Sequence, residues 1–269
     1  MKINILNKIA IFALCALVVA VSAIDADAQK RKRKSTSTTL TISGDTYTKI
    51  NSGGVRMIAP TKIKGFETDM PFVISTINEL AFEDANSTTF LSAAKKYNQH
   101  QRRSDCCEEW GVTVSPYIST DDFVTFRIES FCSEFRSSGD SEQFVTFIKG
   151  GYLREKGRKI LSDDDVWATN LNNYQILSLI NEVIDSHDVF GRADFVTNDY
   201  TINKDGITFL YGKFDIGANC MLNMDCHITV SYIKLKPFLK PEFYDFIMGS
   251  TIVKQKLLTN FEGGIQFDY

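Results

Sequence analysis

In two runs between Val112 and Ile128 apolar residues recur at every second position, a spacing that a helix cannot use. Val112, Val114, Pro116 and Ile118 alternate with polar neighbours, and so do Val124, Phe126 and Ile128. A strand sends successive side chains to opposite faces, so a period of two marks a half-buried strand. Ser119 to Asp122 lies between the two runs and is rich in turn formers. The segment is therefore a β-hairpin. A turn centred between Thr120 and Asp121 sets Cys132 opposite Glu109, two or three residues from Cys106 and Cys107. A small change in turn length brings Cys107 opposite Cys132. Disulfide geometry is tight, so Cys107–Cys132 is the first pairing expected and Cys106–Cys132 the second.

Elsewhere the period changes. Pro71–Phe82 places Phe72, Ile77 and Leu80 on one helical face, and Ser87–Arg103 reads as a helix capped near Ser87. Asn172–Asp185 carries Ile176, Leu177, Ile180, Val183 and Ile184 on a single apolar face. Ser162 caps a further helix that opens on Asp163-Asp164-Asp165, where acidic side chains suit the positive end of the dipole. Pro241–Leu258 is also expected to be helical. Val55–Lys64 and Phe144–Lys149 read as extended. Asp199–Ile202 and Ile207–Tyr211 flank the turn Asn203-Lys204-Asp205-Gly206. His227–Leu235 reads as a strand ended by Pro237. Strands and helices mix without regular βαβ units. The expected class is α+β, with antiparallel hairpins packed against a few helices.

The first 28 residues have the pattern of a secretory signal. Lys2 and Lys8 precede an uncharged run, Ile9–Ile24, and Ala26-Asp27-Ala28 offers a small-residue cleavage site before Gln29. The run is shorter than the roughly 20 residues that span a bilayer. The chain is thus expected to be exported, periplasmic or secreted. Residues 29–44 form a basic, Ser/Thr-rich linker that begins with Lys30-Arg31-Lys32-Arg33-Lys34. Lys and Arg number 30 against 33 Asp and Glu, a net charge of −3. Without the five-residue basic run the remainder carries −8. An acidic body disfavours nucleic acid as a partner and favours basic ones.

In an oxidising compartment the cysteines beyond the signal, Cys106, Cys107, Cys132, Cys220 and Cys226, are expected to pair. Cys220 and Cys226 bracket a short loop and form the second expected staple. Five is odd, so one is left free or links two chains into a dimer.

Gly206-Ile-Thr-Phe-Leu-Tyr211, then Phe214-Asp215-Ile216-Gly217, then Ile228 to Leu239 with its Leu235-Lys236-Pro237-Phe238-Leu239 ending resemble the C-terminal domain of the RsiV-type family. Gly157 to Trp167 is similar to that family's entry segment. The upstream part resembles the PdaC-type domain that often precedes it. The resemblance spans about residues 50–245 and implies an N-terminal lobe over 45–155 and a C-terminal lobe over 156–269. It implies a non-catalytic binding module of the cell envelope, with a basic lysozyme-like protein or peptidoglycan as partner. The chain has no cytoplasmic sigma-binding domain, so no sigma factor is expected as a partner. It also departs from the pattern. Cys220–Cys226 replaces an apolar loop, and Ser137-Ser138-Gly139-Asp140 stands where the family has a His-containing turn.

No catalytic or cofactor motif stands out. The three histidines are scattered and no CxxC occurs, which disfavours zinc. There is no Gly-x-Ser-x-Gly, no His-Glu-x-x-His and no phosphate-cradling glycine loop. Asp163–Asp165 lacks the spacing of a calcium loop. Glu108 and Glu109 are adjacent on a strand and so point apart, a poor acid/base pair. His227 reads as a surface or satisfied histidine. Asn86-Ser87-Thr88 fits a glycosylation sequon. Trp110, Tyr117, Trp167 and Tyr174 are the aromatics that could stack on a sugar, with core packing the commoner fate. An envelope glycan hydrolase with unrecognised carboxylates, and a cysteine-linked structural protein, are the alternatives.

Overall fold

The computed structural model describes residues 39–101, 109–134, 137–169, 172–186, 191–211, 216 and 227–249. These lie in one compact unit, Thr38–Tyr269. The expected signal, the basic run, the pairings of Cys106, Cys107, Cys220 and Cys226, and the helix beyond Gly249 fall outside the described residues.

The fold is α+β. A six-stranded sheet runs in the order β1 (Thr39–Ile42), β2 (Asp45–Ser52), β3 (Val55–Lys62), β4 (Glu109–Ser119), β5 (Phe123–Glu134) and β6 (Ser137–Ile148). Every neighbouring pair is antiparallel except β3 and β4. Those two run parallel because the chain between them crosses over through α1 (Met70–Phe82) and α2 (Phe90–Gln101). Parallel neighbours need such a crossover, whereas hairpins do not. β6 is longer than its apolar half suggests, because Ser137 to Asp140 is strand paired with β5 rather than a turn.

The register of β4 and β5 is one residue from the expected one. Ser119 pairs with Val124, and a bulge at Tyr117 shifts the ladder, so Cys132 stands opposite Trp110. A bulge adds one residue to one strand only, and alternation cannot reveal where it falls. Cys132 is disulfide-bonded; Cys106 and Cys107, expected to pair with it, lie outside the described residues.

The first core lies between this sheet and α1 and α2. Phe126, Phe147, Met57 and Ile63 are fully buried in it, together with Val73 and Ile77. Fully burying a side chain of this size contributes roughly 1.5–3 kcal/mol. The buried stripe of α1 is Val73, Ile77 and Ala81, spaced i, i+4, i+8. Leu80, expected on the buried face, is 38% exposed. α2 starts two residues later than the Ser87 cap suggests. Thr89 Oγ1 accepts the Ser92 N–H at 3.2 Å and caps it, while Ser87 bonds back to Asp84.

The second core joins α3 (Gly151–Glu155), α4 (Asp163–Val166), α5 (Asn173–Ser186), the sheet β7 (Tyr200–Ile202), β8 (Gly206–Leu210) and β9 (His227–Ser231), and the helices α6 (Tyr232–Leu235) and α7 (Pro241–Gly249). The three-stranded sheet is antiparallel in the order β7-β8-β9. Ile176, Ile180 and Ile184 of α5 are fully buried, one face at i, i+4, i+8. The expected strand His227–Leu235 stops at Ser231. Tyr232 and Leu235 are buried three residues apart while Ile233 is 75% exposed, a helical spacing that overrides the alternation before it.

One end of the large sheet is closed by buried charge. Lys149 Nζ sits 2.8 Å from Asp45 Oδ2, and both side chains have no exposure. Ser119 Oγ donates to the same oxygen at 2.8 Å, the Tyr47 hydroxyl donates to it at 3.2 Å, and the Lys64 N–H donates to Oδ1 at 2.9 Å. Four chain segments therefore converge on one carboxylate. Gly65 (φ +80°) passes against the Lys149 carbonyl, where a Cβ would come within 2.4 Å of the oxygen. Burial and the Asp45 charge push the Tyr47 phenol well above its ordinary pKa. Sequence spacing does not reveal this cluster, since its members lie up to 104 residues apart.

Candidate functional site

The candidate site is a pair of adjoining cavities beside α4 and β7, about 350 and 580 Å³ in volume. Both are lined by Asp163, Asn198 and Tyr200. Its foundation is the short helix α4. Asp165 Oδ2 accepts the Ser162 hydroxyl at 2.7 Å and the Ser162 N–H at 3.2 Å, which starts the helix at its expected residue. Arg158 Nε holds the other oxygen of Asp165 at 2.9 Å. Asp165 is thus buried and engaged, and Asp163 and Asp164 are left at the cavity wall.

The smaller cavity is built around Trp167. Its ring stacks on Phe209 at 6.1 Å and meets Tyr200 edge-on at 5.4 Å. Backbone bonds Ala168 N–H to Phe238 O and Lys240 N–H to Val166 O, both 2.9 Å, fix the segment on either side. The Tyr200 hydroxyl donates to Asp163 Oδ1 at 2.7 Å. Burial, and next the bond to Asp163 and its charge, drive the Tyr200 phenol well above its ordinary range, so it remains a hydrogen-bond donor at physiological pH. Lys240 Nζ donates to the Asp164 carbonyl. Thr169, Asn173 and Asn198 complete a wall of amides and hydroxyls. Tyr174 follows Asn173 and is 87% exposed at the start of α5.

The larger cavity runs between β6 and β7. Glu142 lies on its β6 side. His227 Nε2 approaches Glu142 Oε2 at 2.7 Å, and Arg127 Nε pairs with the other oxygen. Burial raises the Glu142 pKa, but the bonds and charges of His227 and Arg127 outweigh it and hold the carboxyl below its ordinary value. His227 is therefore a bridge from β9 to β6.

Of the aromatics singled out in the sequence, only Trp167 lines this site. Trp110 packs edge-on against Tyr97 and Tyr117 against Phe144. Glu109 is exposed at the start of β4, and Glu108 lies outside the described residues. Tyr200 and Asn198 escaped the sequence reading, because a short strand beside a loop carries no signal of what it faces. Among the described residues, no three His, Cys, Asp or Glu side chains are placed to hold a metal ion.

The sequence matches no protein-family model and no curated protein. The chain is similar to the one in a crystal structure of a DUF3298 family protein from Pseudomonas aeruginosa PAO1, with 12% identity and a TM-score of 0.49 over 72% of this chain and 89% of that one.

Proposed function

We propose that the chain is an exported, non-catalytic binding module of the bacterial cell envelope, and that its Trp167 cavity takes a glycan. One observation carries this reading: an indole, a phenol, two carboxylates and several amides converge on a cavity about 350 Å³ in volume. A sugar offers an apolar ring face for the aromatics and hydroxyls for the polar rim. Pockets that orient ligands by a few polar groups on an aromatic wall are of this kind. The motif resemblance to RsiV-type and PdaC-type domains and the signal-like N-terminus support an envelope setting.

Titration of the purified protein with soluble peptidoglycan oligosaccharides tests the reading. Binding is expected, and Trp167→Ala should weaken it at least about tenfold, or 1.4 kcal/mol. Equal affinity of the two proteins would sink the glycan site. A second reading has the acidic balance of the chain in its favour: a basic lysozyme-like protein as partner. There, affinity should fall as salt rises from low to physiological, because charge steering is screened.

A further inference from the structure

The larger cavity lies between two strand edges. β6 is the last strand of the six-stranded sheet and β7 an outer strand of the three-stranded sheet. Six consecutive residues, 141–146, line the cavity on one side, as do residues 198–200 on the other. Consecutive residues share a wall when a strand is met edge-on, since their side chains point to alternate faces.

Hydrogen bonding shows which peptide groups turn away from the neighbouring strand. The Leu161 N–H donates to Thr146 O and the Ile148 N–H to Lys159 O, both at 2.9 Å, so even-numbered residues of β6 turn outward. By the alternation of an antiparallel ladder, Phe144 and Glu142 turn the same way. On β7 the Leu210 N–H donates to Asp199 O at 2.9 Å, so odd-numbered residues bond β8 and Tyr200 faces out. Among the described residues, no backbone group pairs with the outward peptide groups of Glu142, Phe144 or Tyr200. Free edges of this kind are templates for an added strand.

We propose that this slot binds an extended peptide with basic side chains, which adds to the free edges as a strand. Charge selects the class. Glu142, Asp163 and Asp199 line the slot, and among the described residues no Lys, Arg or His does. Glu142 is neutralised by Arg127 and His227. Among the described residues, the Asp163 carboxylate accepts the Tyr200 hydroxyl, and neither it nor Asp199 pairs with a basic side chain. Leu80 and Leu161 supply apolar contact for intervening side chains. Leu161 already takes the Thr146 carbonyl, so the open run is 141–145, about 14 Å of strand, room for four or five peptide residues. The slot shares Asp163, Asn198 and Tyr200 with the glycan cavity, and the two readings are told apart by the residues they do not share. Asp199 and Glu142 line only the larger cavity, and Trp167 and Lys240 only the smaller.

The experiment is selection of a random heptapeptide library on the purified protein, followed by amide exchange with the best binder. Selected peptides should carry Lys or Arg at alternate positions. On binding, the amides of Glu142, Phe144 and Tyr200 should exchange at least about tenfold more slowly. N-methylation of alternate peptide bonds should abolish binding, and Asp199→Asn should weaken it about threefold. A library without basic enrichment overturns the proposal. So does an N-methylated peptide that binds as well as its parent, or binding that leaves those three amides unprotected. Loss of the glycan site through Trp167→Ala should leave peptide affinity unchanged, which keeps the two readings separable.

Discussion

Two tyrosine–aspartate pairs in this molecule use the same chemistry to opposite ends. Tyr47 donates to Asp45 at 3.2 Å inside the sheet, and Tyr200 donates to Asp163 at 2.7 Å on a cavity wall. Asp45 is fully buried and is met by Lys149, Ser119 and the Lys64 N–H as well. Asp163 has its tyrosine and no basic partner among the described residues. A buried carboxylate must be fully engaged, because desolvation costs far more than any single bond returns. A carboxylate at a cavity retains water and therefore retains the capacity to bind something else. What separates a structural cluster from a binding one here is whether its polar groups are already satisfied.

The largest effect expected from breaking this contrast is at Lys149. Lys149→Met leaves the Asp45 charge buried without its cation and should cost about 3–5 kcal/mol in urea unfolding. Glycan affinity, measured where the variant is still folded, should not change. The tyrosines sharpen the comparison. Tyr47→Phe and Tyr200→Phe each delete one hydroxyl, at about 0.5–1.5 kcal/mol of stability. Only Tyr200→Phe should also weaken ligand binding; if Tyr47→Phe does so equally, the division between the two clusters fails.

The smallest effect concerns pH. Glu142 has a depressed pKa in the folded state, so its contribution to stability is present above the ordinary glutamate value of about 4.3 and is lost as pH falls through the lower folded value. Unfolding followed from neutral to acid pH should show a loss of stability that is smaller in Glu142→Gln. Identical profiles would mean that the His227 and Arg127 contacts do not hold the carboxyl.

Local features were legible wherever one element decides them. The alternation around Val112–Ile128 specified the β4–β5 hairpin, and Ser162 with its acidic run specified the start of α4. The Ile176, Ile180 and Ile184 spacing specified the buried face of α5. Trp167 was among the aromatics singled out, but nothing in its neighbourhood distinguished it from Trp110, which packs against Tyr97. The bulge at Tyr117, the helix at Tyr232–Leu235 and the outward turn of Leu80 were not legible. Each depends on what lies across a sheet or above a helix.

The amino-acid sequence by itself determined the α+β class, the hairpins, the principal helices and the acidic balance, because periodicity and charge are properties of neighbouring residues. Tertiary structure alone decided that Lys149 would meet Asp45 across 104 residues. It alone brought Tyr200 of β7 to Asp163 of α4, and laid the free edges of β6 and β7 along one cavity. Those contacts join segments far apart in the chain. Their geometry follows from how the sheets and helices pack, and no local pattern encodes it.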